Sequence, residues 1–455
     1  MAGHLLDDLA RQRSANLAEI LRLVRARSPL YRRKLDRLEI ENFRGIEDIA
    51  ALPFTTRAEL LEVAPFGSVC DGGPAPAAYY ESTGTSGTFL PGFPDLSAEK
   101  AKSFGEFLDQ WMGLRKDRVR RAMVALAFEM NPTGIRFQMA LPYAGVTVIP
   151  CGVRSTICPP EKTLDLLLRL EPEALFSRPF EILRYGDALR ERGVPPEDTK
   201  IVKLFYLGEA MSDGKWARMQ ALWDGAEVYG HYGLTEVDSG LQTCALGRYH
   251  EPPSPFLYTE IVNPQTLQPR GPDDDRWGEV VFTTLRRSHA PVLRYRTGDI
   301  ARRLRGKCRC GQATPAYIIR GRVADAYVQK ETEVFPMDVE NAVYANADVG
   351  HEYLFVIRPD DTLKLVLERA WGSTTALGDI AQAVQATLRE ELSLVADVEV
   401  RPHGKLADKL GIPKKKSGRF TDLRGLAPAE QAAELQVNVI DSAQLRTGTG
   451  QPLSI

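Results

Sequence analysis

The sequence predicts an α/β protein in which a large N-terminal domain is followed by a small α+β module. Short apolar runs alternate with helical patterns up to about residue 240, which is typical of an α/β domain. Strand-like runs with turn signals follow from about residue 255, so the rest of residues 1–322 is β-rich. A compact pattern of helices and strands then occupies residues 323–430, and residues 431–455 have little periodicity and are expected to form a tail.

Composition and charge exclude several classes of protein. The 455 residues carry 58 Lys and Arg against 60 Asp and Glu, and this net charge of −2 disfavours a non-specific nucleic-acid binder. Six cysteines are too few for a disulfide scaffold. No apolar run reaches the roughly eighteen residues that a membrane span needs. We therefore expect a cytoplasmic protein with no nucleic-acid or membrane partner.

The N-terminal half is predicted to be built from one long helix and a set of buried strands with helices between them. Apolar residues at three- and four-residue steps predict an amphipathic N-terminal helix, interrupted too often by charges for a signal peptide, which ends at Ser28-Pro29. The predicted strands are 124–127, 146–150, 201–207 and 227–229. The predicted intervening helices are 164–170 and 216–223.

The C-terminal half is predicted to contain more strands than helices. The strands expected in the β-rich region are 256–261, 278–284 and 317–319. In the small module we expect helices at 339–343 and 380–392, a hairpin formed by 353–357 and 363–367, and a strand at 398–401.

The strongest local motif is a run of hydroxyl and glycine residues. Its members are Ser82, Thr83, Gly84, Thr85, Ser86, Gly87 and Thr88. Glycines allow several backbone N–H groups to point at one spot, and the hydroxyls add donors, so the run can hold a phosphate. No Gly-Lys-Ser/Thr follows, which excludes a Walker A loop. A flexible linker is the alternative interpretation.

Two further motifs combine aromatic, hydroxyl and acidic side chains. Residues 229–236 place aromatic rings, which suit a purine, beside Glu236, which suits Mg²⁺. Residues 295–299 end in Asp299, which at a strand end can accept both hydroxyls of a ribose, and Arg320-Gly321-Arg322 follows. A strand-end turn and a charged β-turn are the respective alternatives.

The order of these motifs resembles the adenylate-forming (acyl-CoA synthetase-like) superfamily, and most of all its phenylacetate–CoA ligase branch. The resemblance rests on LPFTTRAEL, PFG, STGTSGT, YGLTE, YRTGD, GRVAD and VFPMDVE, and it runs from about residue 25 to about residue 424. It implies a large N-terminal adenylate-forming domain, a small mobile C-terminal domain, and an active site between them. It also implies that Mg-ATP and a carboxylate react to give an acyl-adenylate and pyrophosphate.

The resemblance assigns a role to each motif. Residues 82–88 would hold the β- and γ-phosphates, although Thr88 replaces the usual lysine. Thr235 would contact the α-phosphate and Glu236 the Mg²⁺ ion, while Asp299 would bind the ribose, with Arg322 nearby. The residues that would surround adenine are Gly208, Glu209, Ala210, Tyr232 and Gly233.

The resemblance also implies a pocket for an aromatic substrate. Its residues would be Phe128, Glu129, Met130, Asn131, Gly134 and His231. Phe128 and Met130 can pack on an aromatic ring. A buried carboxylate needs a partner, so Glu129 would select a substrate with an amino or hydroxyl group. The alternative is that Glu129 is solvated at a helix end.

Four residues have the chemistry of a metal site. Cys244 and His250 are followed by Cys308 and Cys310, and tetrahedral Zn²⁺ takes such a set. Some members of the ligase branch resemble this arrangement. Four protein ligands leave no open position, so the Zn²⁺ would be structural. Four unrelated residues are the alternative.

The C-terminal module departs from the family pattern. Ala324 replaces the hinge carboxylate, and Glu331 adds bulk and charge where the family has a glycine beside the pantetheine tunnel. The adenylation lysine corresponds to Lys416 or to Arg419, depending on the direction of counting, and a solvated basic loop at 414–416 is a third interpretation. These changes support adenylation better than transfer to CoA.

Three functions follow, in order of preference. The first is an AMP-forming enzyme that activates a substituted aromatic acid, with CoA as second substrate left open. The second is an ATP-dependent diazotase, or another non-thioester adenylating enzyme, that uses nitrite and an aryl amine. The third is a zinc-stabilised binding protein without catalysis. The expected partner is a small aromatic molecule, and a homodimer stays open.

Overall fold

The chain forms two compact units in its computed structural model. The residues described are 2–73, 75–82, 88–153, 155, 157–209, 211–329, 331–406, 419–428 and 430–431. The first unit comprises Met1–Ser177, Lys200–Gly208 and Ala226–Ile319. The second unit comprises Arg178–Thr199, Glu209–Gly225 and Arg320–Ile455.

Helices and strands alternate in the first half of the chain, and strands predominate after it. The α-helices are α1 (Ala2–Arg27), α2 (Pro29–Lys34), α3 (Arg57–Glu62), α4 (Ala98–Met112), α5 (Thr133–Ala140), α6 (Pro160–Leu170), α7 (Pro179–Glu191), α8 (Asp213–Leu222), α9 (Pro336–Tyr344) and α10 (Leu377–Leu392). Short 3₁₀ turns lie at Ile40–Asn42, Ile46–Ala51, Leu141–Ala144, Pro196–Asp198 and Val323–Asp325.

The strands belong to one large sheet, one small sheet and two short ribbons. They are β1 (Tyr80–Glu81), β2 (Pro91–Gly92), β3 (Arg121–Ala125), β4 (Thr147–Pro150), β5 (Ala174–Ser177), β6 (Lys203–Leu207), β7 (Glu227–Leu234), β8 (Ser239–Thr243), β9 (Tyr249–His250), β10 (Leu257–Val262), β11 (Gly278–Thr284), β12 (Tyr295–Arg303), β13 (Ala316–Arg322), β14 (Tyr327–Gln329), β15 (Thr332–Val334), β16 (Val349–Ile357), β17 (Leu363–Arg369), β18 (Ala396–Arg401) and β19 (Phe420–Asp422).

The large sheet combines a parallel half with an antiparallel half. Its order is β10-β11-β12-β13-β9-β8-β7-β6-β5-β3-β4. Strands β4, β3, β5, β6 and β7 are parallel, and the pairings β7–β8, β8–β9, β9–β13, β10–β11 and β11–β12 are antiparallel. Every residue of β5 and β6 is buried, as expected for parallel strands that are covered on both faces. The α/β fold predicted from the sequence is confirmed, and the predicted strand at 278–284 is β11.

The first helix packs along its apolar stripe into a core of the first unit. Leu17, Leu21 and Val24 are buried there at the helical spacing that the sequence shows. The chain then turns at Ser28, whose Oγ accepts a hydrogen bond from Tyr31 N at 3.4 Å and caps α2. The break predicted at Ser28-Pro29 is therefore confirmed. None of the described helices is both long and apolar enough to cross a membrane.

The second unit is built around a four-stranded sheet of order β18-β17-β16-β19. The predicted hairpin is present, because β16 and β17 pair antiparallel, and β18 and β19 join them as parallel edge strands. The predicted helices at 339–343 and 380–392 are α9 and α10. The domain limits 1–322, 323–430 and 431–455 stay a prediction.

Two helices from the middle of the chain contribute to the core of the second unit. Phe180 of α7 lies in the same apolar cluster as Tyr353 and Phe355 of β16. On α8, Lys215 forms a buried ion pair with Glu340 at 2.7 Å. Arg218 donates to the carbonyl oxygen of Tyr344, at the C-terminal end of α9, at 3.2 Å.

Candidate active site

Thr235 and Glu236 lie in the turn that joins β7 to β8. Strand β2 approaches this turn closely, because a Cβ atom on Gly92 would lie 2.8 Å from the Thr235 carbonyl oxygen. Only glycine fits there without displacing one of the two segments. The strand that follows the hydroxyl-rich run at 82–88 is therefore fixed against the turn that carries the predicted catalytic residues.

Glu236 and Asp299 are each held by the hydroxyl of a tyrosine. Tyr295 donates to Glu236 Oε1 at 2.7 Å, and Tyr232 donates to Asp299 Oδ2 at 2.6 Å. Both carboxylates are buried, at 8% and 6% exposure. Hydrogen bonds to ionised groups are the strong ones, so each carboxylate is oriented by its tyrosine. The structure thus brings together residues of the second and third motifs in the first unit.

A bulge in β12 directs Asp299. The pairing of β11 with β12 shifts between Glu279 and Val281, and Gly298 has a φ of +75°. Gly298 N donates to Glu279 Oε1, and Asp299 N donates to Thr297 Oγ1, both at 3.0 Å. Bulges re-aim side chains, and the positive φ explains why glycine precedes Asp299.

The rest of the predicted nucleotide site is only partly within the described chain. The residues that lie outside it are Thr83, Gly84, Thr85, Ser86, Gly87 and Ala210. Ser82 Oγ accepts from Leu90 N at 2.9 Å, and the Thr88 carbonyl oxygen accepts from Arg57 at 2.7 Å. These contacts hold both ends of the run.

Three further residues of the predicted nucleotide site lie at the ends of two strands of the large sheet, β6 and β13. Gly208 follows β6 with a φ of +85°. Glu209 and Arg322 belong to the second unit, where Glu209 pairs with Arg178 at 2.5 Å. The structure therefore gives Glu209 a structural partner in addition to any role beside a nucleotide.

The predicted aryl pocket is only partly buried. Phe128 lies over Gly134, since a Cβ atom on Gly134 would come within 2.8 Å of the ring. Met130 is 51% exposed, and Glu129 is exposed too. Glu129 is therefore not buried as the sequence led us to expect, and its selection of a substrate with an amino or hydroxyl group stays a prediction. Asn131 Oδ1 accepts from Thr133 N at 3.0 Å, which shapes the start of α5.

His231 is held on β7 by a neighbour on β8. Its Nδ1 lies 2.6 Å from Gln242 Nε2, so Gln242 donates and Nδ1 accepts. Gly233 makes room for the ring, because a Cβ atom there would lie 2.9 Å from His231 Cδ2. This contact holds the orientation of the imidazole ring on β7. A fixed imidazole edge is suited to orienting a polar group of a substrate.

The four predicted metal ligands form one cluster in the first unit. One ligand atom from each of Cys244, His250, Cys308 and Cys310 lies within 4.8 Å of the others. Cys310 Sγ lies 3.4 Å from His250 Nε2, and zinc bonds of about 2–2.3 Å in a tetrahedron require ligand separations of about 3.5–3.8 Å. His250 Nδ1 contacts the Thr314 carbonyl oxygen at 3.0 Å, which turns Nε2 toward the sulfurs. The donor set and its geometry fit Zn²⁺.

Burial opposes the charged form of two members of the cluster, Cys310 and His250. Burial raises the pKa of the Cys310 thiol to about 12, a backbone bond from Gln312 opposes this, and the neighbouring Cys308 and Cys244 raise the pKa further. Burial also lowers the pKa of His250, which keeps the imidazole neutral. Zinc binding would therefore release thiol protons, and zinc would supply the positive charge that three adjacent sulfurs need.

Arg419 does not suit the adenylation role that one alignment gives it. The side chain is buried in the second unit, where it pairs with Glu352 and lies 3.6 Å from the centre of the Phe180 ring. A guanidinium held in this way stabilises its own unit and is not available to a nucleotide. Lys416, the other candidate, lies outside the described residues, and its role stays a proposal.

Some residues that build the site were not assigned from the sequence. Tyr295 stands inside a recognised motif, but its bond to Glu236 spans 59 positions in sequence. Gln242 and Arg287 belong to no motif, and no local pattern indicates them. Gly92 could have been suspected only as an unexplained glycine within a strand.

The chain is similar to a family of C-terminal domains, to ligases from other organisms and to solved ligase structures. Residues 332–424 match the family described as AMP-binding enzyme C-terminal domain. A phenylacetate-coenzyme A ligase of Thermus thermophilus is 28% identical over 76% of this chain and 78% of its own length. The same kind of ligase from Aromatoleum evansii is 26% identical over 75% and 77%. A 2-hydroxyisobutyryl-CoA ligase, solved in the postadenylation state with 2-HIB-AMP, has a TM-score of 0.79 at 19% identity over 93% and 90% of the two chains.

The fold, the motifs and these matches support the predicted class of enzyme, an ATP-dependent, AMP-forming ligase. At 28% and 26% identity, the chain is similar to these phenylacetate-coenzyme A ligases, in line with the resemblance of its motifs.

Proposed function

We propose that the protein activates an aromatic carboxylic acid with Mg-ATP, giving an acyl-adenylate and pyrophosphate. The observation that carries this proposal is the pair of carboxylates, Glu236 and Asp299, each buried and each held by a tyrosine hydroxyl. In the reaction a carboxylate oxygen of the acid attacks the α-phosphorus, and the bond between that phosphorus and the bridging oxygen breaks. Pyrophosphate leaves with the electron pair.

Different residues of the first unit would position the Mg²⁺ ion, the ribose and the α-phosphate. The bond from Tyr295 occupies Glu236 Oε1, so Oε2 is the oxygen that we expect to hold Mg²⁺. Mg²⁺ neutralises phosphate charge when it is bound. Asp299 would accept the ribose hydroxyls, while Thr235 would donate to the α-phosphate. Such catalysis consists of orientation and electrostatic stabilisation, which rigid, hydrogen-bonded groups provide.

The aromatic nature of the acid is supported by the segment after β3. Phe128 presents a ring held over Gly134, and Met130 is exposed beside it. Both side chains can pack on an aromatic substrate. His231 would orient a substituent through Nε2, since Nδ1 is held by Gln242.

We further propose that Cys244, His250, Cys308 and Cys310 hold a structural Zn²⁺. The support is the convergence of four ligand atoms within 4.8 Å. His250 pairs with Ala316 across β9 and β13, so the ion would tie these strands to the loop that carries the two later cysteines. Four protein ligands leave no coordination position for a substrate.

The reaction is tested by measuring AMP and pyrophosphate release with a panel of substituted aryl acids, each with and without CoA. AMP release that depends on an aryl acid supports the proposal, and a further dependence on CoA identifies thioester formation as the second step. A parallel reaction with nitrite and an aryl amine tests the diazotase. AMP release only with nitrite, or with none of these substrates, would refute the activation of an aromatic acid.

Site variants separate the proposed roles from general damage. We expect Glu236→Gln and Asp299→Asn to abolish ATP–pyrophosphate exchange, because each keeps its shape and loses its charge. Glu333→Gln, an exposed acid on β15, is a matched control that should exchange normally. Unchanged exchange in both site variants would contradict the assignment.

A further inference from the structure

Arg287 bridges two segments of the candidate site through its guanidinium. It follows β11 and is only partly exposed. Nη1 donates to the carbonyl oxygen of Glu236, and Nη2 donates to that of Phe93 at 3.0 Å. One side chain therefore joins the turn that carries Glu236 to the residue that follows β2.

The same two segments are joined at two more points. Asp95 N donates to Asp238 Oδ2 at 3.1 Å, and Gly92 lies directly against Thr235. Arg136 also pairs with Asp238, so the far end of the turn is fixed by an ion pair. Arg287 is the link that acts on Glu236 itself.

The β2 side of this bridge leads to a predicted phosphate ligand. Ser82 N donates to the Leu90 carbonyl oxygen at 2.8 Å, and Leu90 N donates back to Ser82 Oγ at 2.9 Å. Leu90 is completely buried and lies three residues before Phe93. A displacement of Phe93 relative to Glu236 would therefore change the distance from Ser82 to the carboxylate.

The charge of Arg287 suits this position. Burial lowers the pKa of its guanidinium to about 10, and the negative charge of Glu236 opposes that shift. The side chain thus stays protonated at neutral pH. Its positive charge strengthens the hydrogen bonds that it donates to the two carbonyl oxygens.

We propose that Arg287 is a positioning residue that holds Glu236 at a fixed distance from Ser82 and so sets the affinity for the Mg²⁺ complex of the nucleotide. The inference rests on the proposed function, because it takes Glu236 as the residue that holds Mg²⁺. In this role Arg287 acts through the backbone of Glu236.

The test measures ATP binding to the full chain by calorimetry over a series of Mg²⁺ concentrations, without any acid. Arg287→Ala should raise the Mg²⁺ concentration for half-maximal binding at least tenfold. Arg287→Lys should recover part of that loss, since an ammonium keeps the charge but reaches one carbonyl better than two. Arg286→Ala is the matched control, because this exposed neighbour lies over the Phe256 ring, and it should bind like wild type.

Each outcome decides the matter. An unchanged Mg²⁺ dependence in Arg287→Ala and Arg287→Lys overturns the inference. An equal loss of ATP binding with and without Mg²⁺ also overturns it, because that pattern reports general damage. If Arg287→Ala does not fold, Arg287→Lys decides alone. A wild-type chain that binds no ATP at any Mg²⁺ concentration overturns the proposed function, and the inference with it.

Discussion

Replacing Tyr232 by Phe removes the hydroxyl that donates to Asp299 and leaves the ring in place. The ring keeps its contacts with Phe282 and Tyr249, at centroid distances of 6.0 and 6.3 Å. The lost bond is 2.6 Å long and ends on a carboxylate that is 6% exposed. A hydrogen bond to a charged group contributes about 1.5–3 kcal/mol.

If Asp299 binds the ribose, the loss of this hydrogen bond should weaken the binding of ATP. At about 1.4 kcal/mol for each factor of ten, the KM for ATP in pyrophosphate exchange should rise about 10- to 150-fold. The KM for the acid should change little. Tyr249→Phe is a matched control, because its hydroxyl accepts a hydrogen bond from the neutral hydroxyl of Tyr206 at 3.3 Å.

A Tyr232→Phe enzyme with a KM for ATP within twofold of wild type would refute the link between the hydroxyl bond and nucleotide binding. A rise that is equal in Tyr232→Phe and Tyr249→Phe would point instead to the packing of the aromatic cluster.

Three further predictions concern metal, packing and pH. Chelation of Zn²⁺ should shift the fluorescence emission of Trp111, because its ring lies 6.3 Å from the ring of His250, and chelation should also lower the Tm. Fluorescence that does not change when the chelator is added would contradict a bound metal. Gly92→Ala should lose exchange activity and about 1–3 kcal/mol of stability, because the new Cβ atom would lie 2.8 Å from the Thr235 carbonyl oxygen. Gly271→Ala is the control, because a Cβ atom there meets open space, and it should match wild type in activity and in urea unfolding. Burial raises the pKa of Asp187 to about 7, so the stability that its protonated form contributes is complete below about pH 4 and is lost as the pH rises through 7. The Tm of Asp187→Asn minus the Tm of wild type should therefore increase between pH 4 and pH 8, as measured by scanning fluorimetry. A Tm difference that stays constant over this range would show that Asp187 titrates normally.

The sequence predicts the parts of the site that depend on local pattern. The order of strands and helices, and the motifs that carry Glu236 and Asp299, can be recognised because each occupies a short continuous stretch. The metal cluster could be predicted only as a set of suitable ligands. Its convergence depends on the pairing of His250 with Ala316 across two strands that are 66 positions apart.

Burial is the property that the sequence could not provide. The sequence leaves open whether Glu129 is buried or solvated, and in the structure it is exposed, because residues 127–131 leave the end of β3 before α5 begins. The sequence likewise leaves Lys416 and Arg419 as alternatives for the adenylation lysine, and in the structure an acid on β16 and an aromatic ring on α7 hold Arg419 inside the second unit. Both outcomes depend on neighbours distant in sequence, which no local pattern encodes.

The contribution of α7 and α8 to the second unit has a consequence for dissecting the chain. A fragment that starts near residue 323 would contain Glu340 and Glu352 but would lose their cationic partners Lys215 and Arg184. Removing one member of a buried ion pair costs about 3–5 kcal/mol. A gene cut at the end of β13 would therefore leave Glu340 buried without its cation, whereas Glu352 would keep Arg419 as its partner. A C-terminal fragment expressed on its own therefore needs these two helices, or the substitution Glu340→Gln, to fold as it does in the full chain.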